Sequence, residues 1–483
     1  MIPRTMSTQH PDNITIPFFA ESSILKGDDE VKEAYYIFSH LNCHEQMWDY
    51  EGKEVDNFVV KKLLSRYGYF FEENILGKDC FLTLRVPNPS WEKAEAKVLL
   101  ETLESIPRSF DAAKLFYGND IAPIFEVILP MTTSHIELNR IFYYYKNFVT
   151  GKQNKTFFHG DITIAEWIGE FRPHEINVIP LVEDLPFLLN CDEIVEKFLE
   201  DKYQDHQRVF LAKSDLALNY GMVASSIVLK VALAKLEELE ERSSVEIYPI
   251  VGFGSAPFRG NLRPHTANRI IREWGSVQTF TIQSAFKYDY PEKEVKDAID
   301  VLNAGRRVKA DVVDEEMAIK LIKNYSGEYR KMVLALSSLI GKVAAHIPKR
   351  RERKLHIGLF GYSRSINGMI LPRAIPFCCA LYSIGLPPEL LGLNALNEKE
   401  REFVYETINL EDDLKDALKY FNPGVLELIP KEVSKTLNFD IDFEIDERHR
   451  NATDEVIEAL KKNSIDTLQE KIIQAANIRR FLG

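Results

Sequence analysis

Two carboxylates stand directly behind short apolar runs, Glu183 in PLVED and Asp215 in AKSD. If those runs are neighbouring parallel strands, about 5 Å apart, both side chains reach one ion. Hard oxygen ligands, few in number, suit Mg²⁺ or Mn²⁺, which keeps several waters and takes further ligands from a substrate. The alternative is a pair of unrelated surface carboxylates; Asp184, beside Glu183, is either a supporting group or simply exposed. Arginines supply the opposite charge. Arg364 and Arg373 flank a turn in GYSRSINGMILPRAIP, and Arg259 and Arg263 lie in the glycine-rich stretch GFGSAPFRGNLRP. Guanidinium forks grip phosphate and carboxylate oxygens in pairs. A divalent cation with several arginines implies a small phosphorylated acid as substrate. His10 is the candidate proton carrier. It precedes Pro11 in MSTQHPDN, and Pro11 biases it towards extended backbone, so the imidazole is presented rather than folded into a helix. A frayed polar tail with an incidental histidine is the plain alternative.

These groups need a scaffold that brings them together. Short apolar runs at 80–86, 123–129, 177–182, 208–212, 246–252, 278–283 and 354–360 read as strands. Helical periodicity lies between several of them, most clearly over 91–106, 220–242 and 315–347. Strands alternating with helices argue for a parallel sheet. Seven visible strands, with one hard to see, suit a (β/α)8 barrel elaborated with additional helices; an open doubly wound sheet is the alternative. No linker divides the chain, so residues 1–483 read as a single domain: an N-terminal segment and helices over 1–79, a barrel over about 80–376, and a helical part over about 377–483. The strand ends carry the polar groups. Arg85, Glu183, Lys213 with Asp215, the loop with Arg259, Gln283, and Ser363 with Arg364 follow successive runs. Barrel enzymes build their active sites at the C-terminal ends of strands. One such residue is an ordinary solvated strand end; six in series are harder to dismiss.

Composition narrows the function. With 45% hydrophobic and 28% charged residues the chain is globular, and its net charge of −13 argues against nucleic acid or an anionic membrane as partner. Five cysteines without regular spacing make no disulfide framework or zinc motif, and no apolar stretch reaches spanning length, which together point to the cytoplasm. The glycine stretch fits neither the dinucleotide fingerprint nor a Walker loop. His40, Cys43 and His44 lack a fourth metal ligand, KRRERK (349–354) is a solvated connection, and no nucleophile elbow is present.

The ordered set MSTQHPDN, INVIPLVED, AKSDLALNYGMVASS, GFGSAPFRG, IQSAFKYDY, GYSRS and LPRAIPF resembles archaeal-type phosphoenolpyruvate carboxylase, from Met6 to the final RRFLG. The resemblance implies an (α/β)8 barrel, usually a homotetramer, that makes oxaloacetate and phosphate from phosphoenolpyruvate and bicarbonate, an anaplerotic carbon-fixing step. It implies that His10 matches the catalytic histidine of T-A-H-P-T in the longer bacterial and plant enzymes. Glu183 matches the metal-binding glutamate of P-L-F-E-T, and Asp215 the metal-binding aspartate of Y-S-D-S-x-K-D-A-G. Arg364 and Arg373 match the phosphate-binding arginines of G-S-R-P and R-A-I-P, Arg259 the second arginine of the family's glycine loop, and Arg85 the strand-end arginine of L-D-I-R. The chain departs from the pattern in three places. The first histidine and arginine of the glycine loop fall on Val251 and Phe253, and the lysine of S-x-K-D falls on Leu218, for which Lys213 is a candidate substitute.

The expected mechanism is phosphoryl transfer to bicarbonate, giving carboxyphosphate and the enolate of pyruvate, with Mg²⁺ (or Mn²⁺) on Glu183 and Asp215 stabilising the developing charge. Arg364 and Arg373 hold phosphate, Lys213 and Gln283 contribute to substrate binding, Arg259 and Arg85 balance the anions, and His10 takes the carboxyl proton. Another Mg-dependent barrel enzyme acting on phosphoenolpyruvate or 2-oxo acids, and a non-catalytic anion-binding barrel, are the competing readings.

Overall fold

The computed structural model describes residues 1–50, 56–93, 96–352, 365–366, 369–437, 441–464 and 466–483. Eight parallel strands close into a barrel: β1 (Thr5–Ser7), β2 (Glu45–Asp49), β3 (Phe81–Arg85), β4 (Glu126–Leu129), β5 (Asn177–Val182), β6 (His206–Ala212), β7 (Glu246–Gly252) and β8 (Thr279–Ile282). Closure comes from β1, which pairs with both β8 and β2. The elaborated (β/α)8 barrel expected from the sequence is therefore the fold, but its extent is not. It runs from Thr5 to Ile282, where the strand pattern placed it at about 80–376. The N-terminal stretch supplies two barrel strands, and the candidate strand at 354–360 lies outside the described residues. Both missed strands hide for a physical reason. β1 is only three residues long, and β2 (EQMWD) is buried throughout although three of its five residues are polar.

Those polar residues belong to the barrel interior. Barrel cores are built in layers of four side chains from alternate strands, usually branched and apolar. Here the layer near the N-terminal end holds Glu45 of β2, Glu126 of β4, Arg208 of β6 and Thr279 of β8. Arg208 donates to Glu45 Oε1 and Oε2 at 2.9 and 2.7 Å and to Glu126 Oε2 at 2.8 Å, all fully buried. Above it lies an apolar filling that includes Met6, Met47, Ile128, Ile179, Phe210 and Ile250. Replacing Arg208 by Met leaves two carboxylates in the core without a cation. Removing one partner of a buried ion pair costs about 3–5 kcal/mol, so the urea midpoint of Arg208→Met is expected to drop sharply. A midpoint matching the parent protein would show that the layer tolerates neutralisation.

Helices cover the strands on the outside. Met222–Ser243 is buried on nearly every side over its first half, where it packs between β7 and the 30-residue helix Glu315–Ala344. Asp314 caps the latter by accepting from Met317 N. The expected helix at 91–106 is Ala96–Tyr117, which carries Pro107 inside it. Beyond the barrel, Ala374–Ser383 and Leu468–Arg479 pack together, and the Leu482 amide donates to the Asp12 carbonyl at 2.7 Å. That contact brings the end of the described chain against the segment that carries His10.

Candidate active site

Because all eight strands are parallel, their C-terminal ends meet at one mouth, and the polar groups singled out above fall there in strand order. His10 follows β1, Arg85 ends β3, Glu183 follows β5, Lys213–Asp215 follow β6, the glycine loop follows β7, and Gln283 follows β8; Asp49, which ends β2, joins them.

The His10 segment is firmly docked. Thr8 N donates to Ile282 O at 3.0 Å, continuing the pairing of β1 with β8. Asp12 is buried, accepts from Ala285 N at 2.7 Å and pairs with Arg259 at 3.2 Å. Burial raises the Asp12 pKa against the opposing pull of Arg259. Asp289 accepts from Ile14 N and Thr15 N at 2.8 and 2.6 Å. His10 itself is half-buried, with Nδ1 at 2.8 Å from Thr8 Oγ1. This is not a frayed tail.

The carboxylates follow adjacent strands, since β5 pairs with β6 through Val182 and Leu211. Glu183 is buried, and its Oε2 accepts from Met131 N at 2.8 Å. Met131 holds φ at 51°, a left-handed conformation that non-glycine residues seldom adopt and that costs strain where it occurs. The turn after β4 thus bends so that its amide meets Glu183, and Asn88 Nδ2 braces it by donating to Pro130 O at 2.8 Å. Asp215 is half-buried in the first turn of the helix Ser214–Tyr220. Asp184 resolves as a supporting group. It accepts from Leu185 N at 2.9 Å and from Tyr220 Oη at 2.7 Å, tying the end of β5 to the helix that carries Asp215. Among the described residues no three His, Cys, Asp or Glu side chains form a metal-binding group. Two hard carboxylates completed by water and substrate are the donor set that Mg²⁺ or Mn²⁺ accepts, so the residues fit that ion.

The arginines divide by environment. Arg85 makes a fork with Asp49, Nε to Oδ1 at 2.9 Å and Nη2 to Oδ2 at 2.8 Å, a partner hidden from the sequence because β2 was hidden. Arg259 is 1% exposed and donates to Ser214 Oγ (3.0 Å), Asp12 Oδ2, the Gly483 backbone oxygen (2.6 Å) and Gln283 Oε1. It knits the His10 segment to the ends of β6 and β8. The glycines of its loop make room for this packing. A Cβ on Gly254 would lie 2.8 Å from Arg259 Cζ, and Gly260 at φ 117° would put one 2.4 Å from the Phe253 ring. Phe253, where the resembling family has an arginine, is buried against Trp274. Arg263 is buried too, bonded to Asn261 and Asp416.

Lys213 does not fill the place left by Leu218. Its ammonium is buried and donates to Ser225 and Ser226 Oγ of the next helix, where burial pushes its pKa down to about 8 despite Asp413 and Glu273. It anchors that helix. Arg373 is exposed at the N-terminus of Ala374–Ser383, while Ser363 and Arg364 lie outside the described residues. Besides Asp49, sequence reasoning gave no role to Asp12 and missed the Met131 turn. Asp12 was visible inside MSTQHPDN, but nothing local shows that Arg259 is its partner.

A family model described as phosphoenolpyruvate carboxylase matches residues 2–483. Proteins named phosphoenolpyruvate carboxylase from Methanospirillum hungatei and Methanothermobacter thermautotrophicus are each 54% identical over 483 residues, covering 100% of both chains. One from Halobacterium salinarum is 47% identical over 491 residues, covering 100% of this chain and 99% of its own. With a closed barrel, two carboxylates following neighbouring strands and a docked histidine at its mouth, and a match that leaves almost no residue out, this chain belongs to the phosphoenolpyruvate carboxylase family.

Proposed function

We infer that the chain is an enzyme that carboxylates phosphoenolpyruvate with bicarbonate, giving oxaloacetate and phosphate, and that His10 is its proton carrier. The match to phosphoenolpyruvate carboxylases over residues 2–483 carries the reaction. Docking of the His10 segment between β8, β2 and Arg259 supports the role of the histidine. Glu183 and Asp215 would hold a Mg²⁺ or Mn²⁺ ion, which when bound supplies positive charge against the anionic oxygens of the substrate.

The protein's own groups divide the remaining work. Arg373 and Arg364 hold the phosphoryl group, and the Arg85–Asp49 fork sets a guanidinium at the mouth with its orientation locked. Bicarbonate oxygen attacks phosphorus, the bond from phosphorus to the enol oxygen breaks, and carboxyphosphate and the pyruvate enolate result. His10 then takes the carboxyl proton. The bond from carbon to the bridging oxygen breaks, CO₂ and phosphate part, and the enolate C3 bonds to CO₂ in a site shielded from water. The phosphate takes the proton back from the imidazole. Arg259 and Gln283, bonded to each other, act by holding the His10 segment and the end of β8 in place. The proposed assembly is a homotetramer. The proposed location is the cytoplasm, in keeping with five buried cysteines that form no disulfide.

A malate-dehydrogenase-coupled assay tests the reaction: NADH oxidation is expected with phosphoenolpyruvate and bicarbonate together and with neither alone. Turnover of phosphoenolpyruvate without bicarbonate would indicate a mutase or lyase instead. The phosphate grip has its own test. Arg373→Lys keeps the charge and loses the fork, so phosphoenolpyruvate binding and turnover are expected to weaken ~10-fold or more. Steady-state kinetics and inhibition by inorganic phosphate should shift together. If neither shifts, Arg373 serves only the start of its helix.

A further inference from the structure

His10 has two ring nitrogens, and only one can meet the substrate as a base. Its Nδ1 lies 2.8 Å from Thr8 Oγ1, and Thr8 is completely buried. That nitrogen is engaged on the protein side of the ring, so the role given to His10 above assigns proton exchange with substrate to Nε2. For Nε2 to accept a proton, Nδ1 must carry the hydrogen in the neutral ring, with the Thr8 hydroxyl oxygen accepting from it. Once the ring is protonated the same hydrogen bond persists unchanged, so nothing need reorganise as the proton arrives.

Thr8 can do this only if it is itself immobile, and an unusual set of groups fixes it. Its amide donates to Ile282 O on β8, and its carbonyl accepts from Lys287 Nζ at 3.0 Å. Lys287 is a fully buried cation on the short helix after β8. It also donates to Ser7 Oγ at 2.9 Å and pairs with Glu33 Oε1 at 2.8 Å. Burial opposes ionisation of Glu33, but Lys287 and Arg351, which is buried on Glu30 and Glu33 although its basic run reads as solvated in the sequence, outweigh it and hold the carboxyl well below its usual range. The next residue is held from both sides: Gln9 donates to Glu33 Oε2 at 3.3 Å and accepts from Asp49 N at 3.2 Å. A buried ammonium costs several kcal/mol to desolvate unless its partners compensate. Here those partners are two consecutive residues of the His10 segment and one carboxylate.

We propose that Thr8 is the positioning residue that fixes the His10 imidazole in its Nδ1–H tautomer, with Lys287, anchored on Glu33, holding Thr8 in register. The proposal rests on the role given to His10 above, but its test reads the tautomer directly. The full-length enzyme is labelled with ¹⁵N in its histidine rings, and the His10 signals are identified by their loss in His10→Asn. In the parent protein, above the pH at which the ring is protonated, Nδ1 should be the nitrogen that carries the hydrogen. In Thr8→Val, which keeps the shape and loses the hydroxyl, that preference should disappear. Oxaloacetate formation should fall about 10-fold with KM for phosphoenolpyruvate unchanged, the size expected for one lost hydrogen bond. Thr8→Ser should restore both the tautomer and the rate. Hydrogen on Nε2 in the parent protein would overturn the proposal without any variant being made, and so would an unaltered tautomer in Thr8→Val. If His10→Asn loses both products in parallel, the step assigned to His10 fails, while the spectra still decide the tautomer.

Discussion

His10→Asn should abolish oxaloacetate formation while phosphate is still released from phosphoenolpyruvate in a bicarbonate-dependent reaction. The groups assigned to phosphoryl transfer are untouched by this substitution, and the segment keeps its anchors at Asp12 and Thr8. What is lost is the group that takes the carboxyl proton, and removing a general base costs about 10²–10⁴-fold. Carboxyphosphate should then form and decay without delivering CO₂ to the enolate, which is protonated and leaves as pyruvate. Three assays on one purified variant decide the matter, for phosphate, pyruvate and oxaloacetate. If phosphate and oxaloacetate fall by the same factor, His10 acts at or before phosphoryl transfer, and the order of steps proposed here is wrong.

Glu183→Gln and Asp215→Asn should each remove most of the activity and raise the Mg²⁺ concentration needed for half-maximal rate ~10-fold or more. Both changes remove charge with almost no change of shape, and a glutamine oxygen at 183 can still accept from Met131 N, so the fold should survive. Binding of Mn²⁺ to the resting protein, followed by electron paramagnetic resonance, gives a readout independent of turnover. Affinity should weaken in both variants. A variant whose Mn²⁺ affinity and Mg²⁺ requirement match the parent's excludes that residue as a ligand.

The two carboxylates illustrate what could be read before any fold was known. Glu183 directly follows one apolar run and Asp215 lies just beyond another, and once the runs are paired parallel strands both fall at neighbouring strand ends. Position along the chain and residue type were enough to place both at neighbouring strand ends. The glycine loop is the opposite case. Its three glycines fit no nucleotide-binding pattern, and only the fold shows what they are for: Gly254 leaves room for the Arg259 guanidinium and Gly260 for Phe253. A glycine reports that something comes close and does not say what.

By itself, the sequence determined the fold class, the six strands from β3 to β8, and the identity of the acid, base and arginine candidates, because alternation of apolar and polar residues and strand-end chemistry are local properties. Only the tertiary structure decided where the barrel begins. β1 is short and is a strand because β2 and β8 pair with it on either side, while polar β2 can lie inside the barrel because Arg208, on a strand more than a hundred residues away, neutralises Glu45 there. It alone decided which cations face inward to protein. Arg259 and Lys213 carry the same charge as Arg373, but they are buried against Asp12, Gln283, Ser225 and Ser226, whereas Arg373 lies at the surface. A charged side chain's role depends on what neutralises it, and in this chain those partners come from distant segments that only the closed barrel brings together.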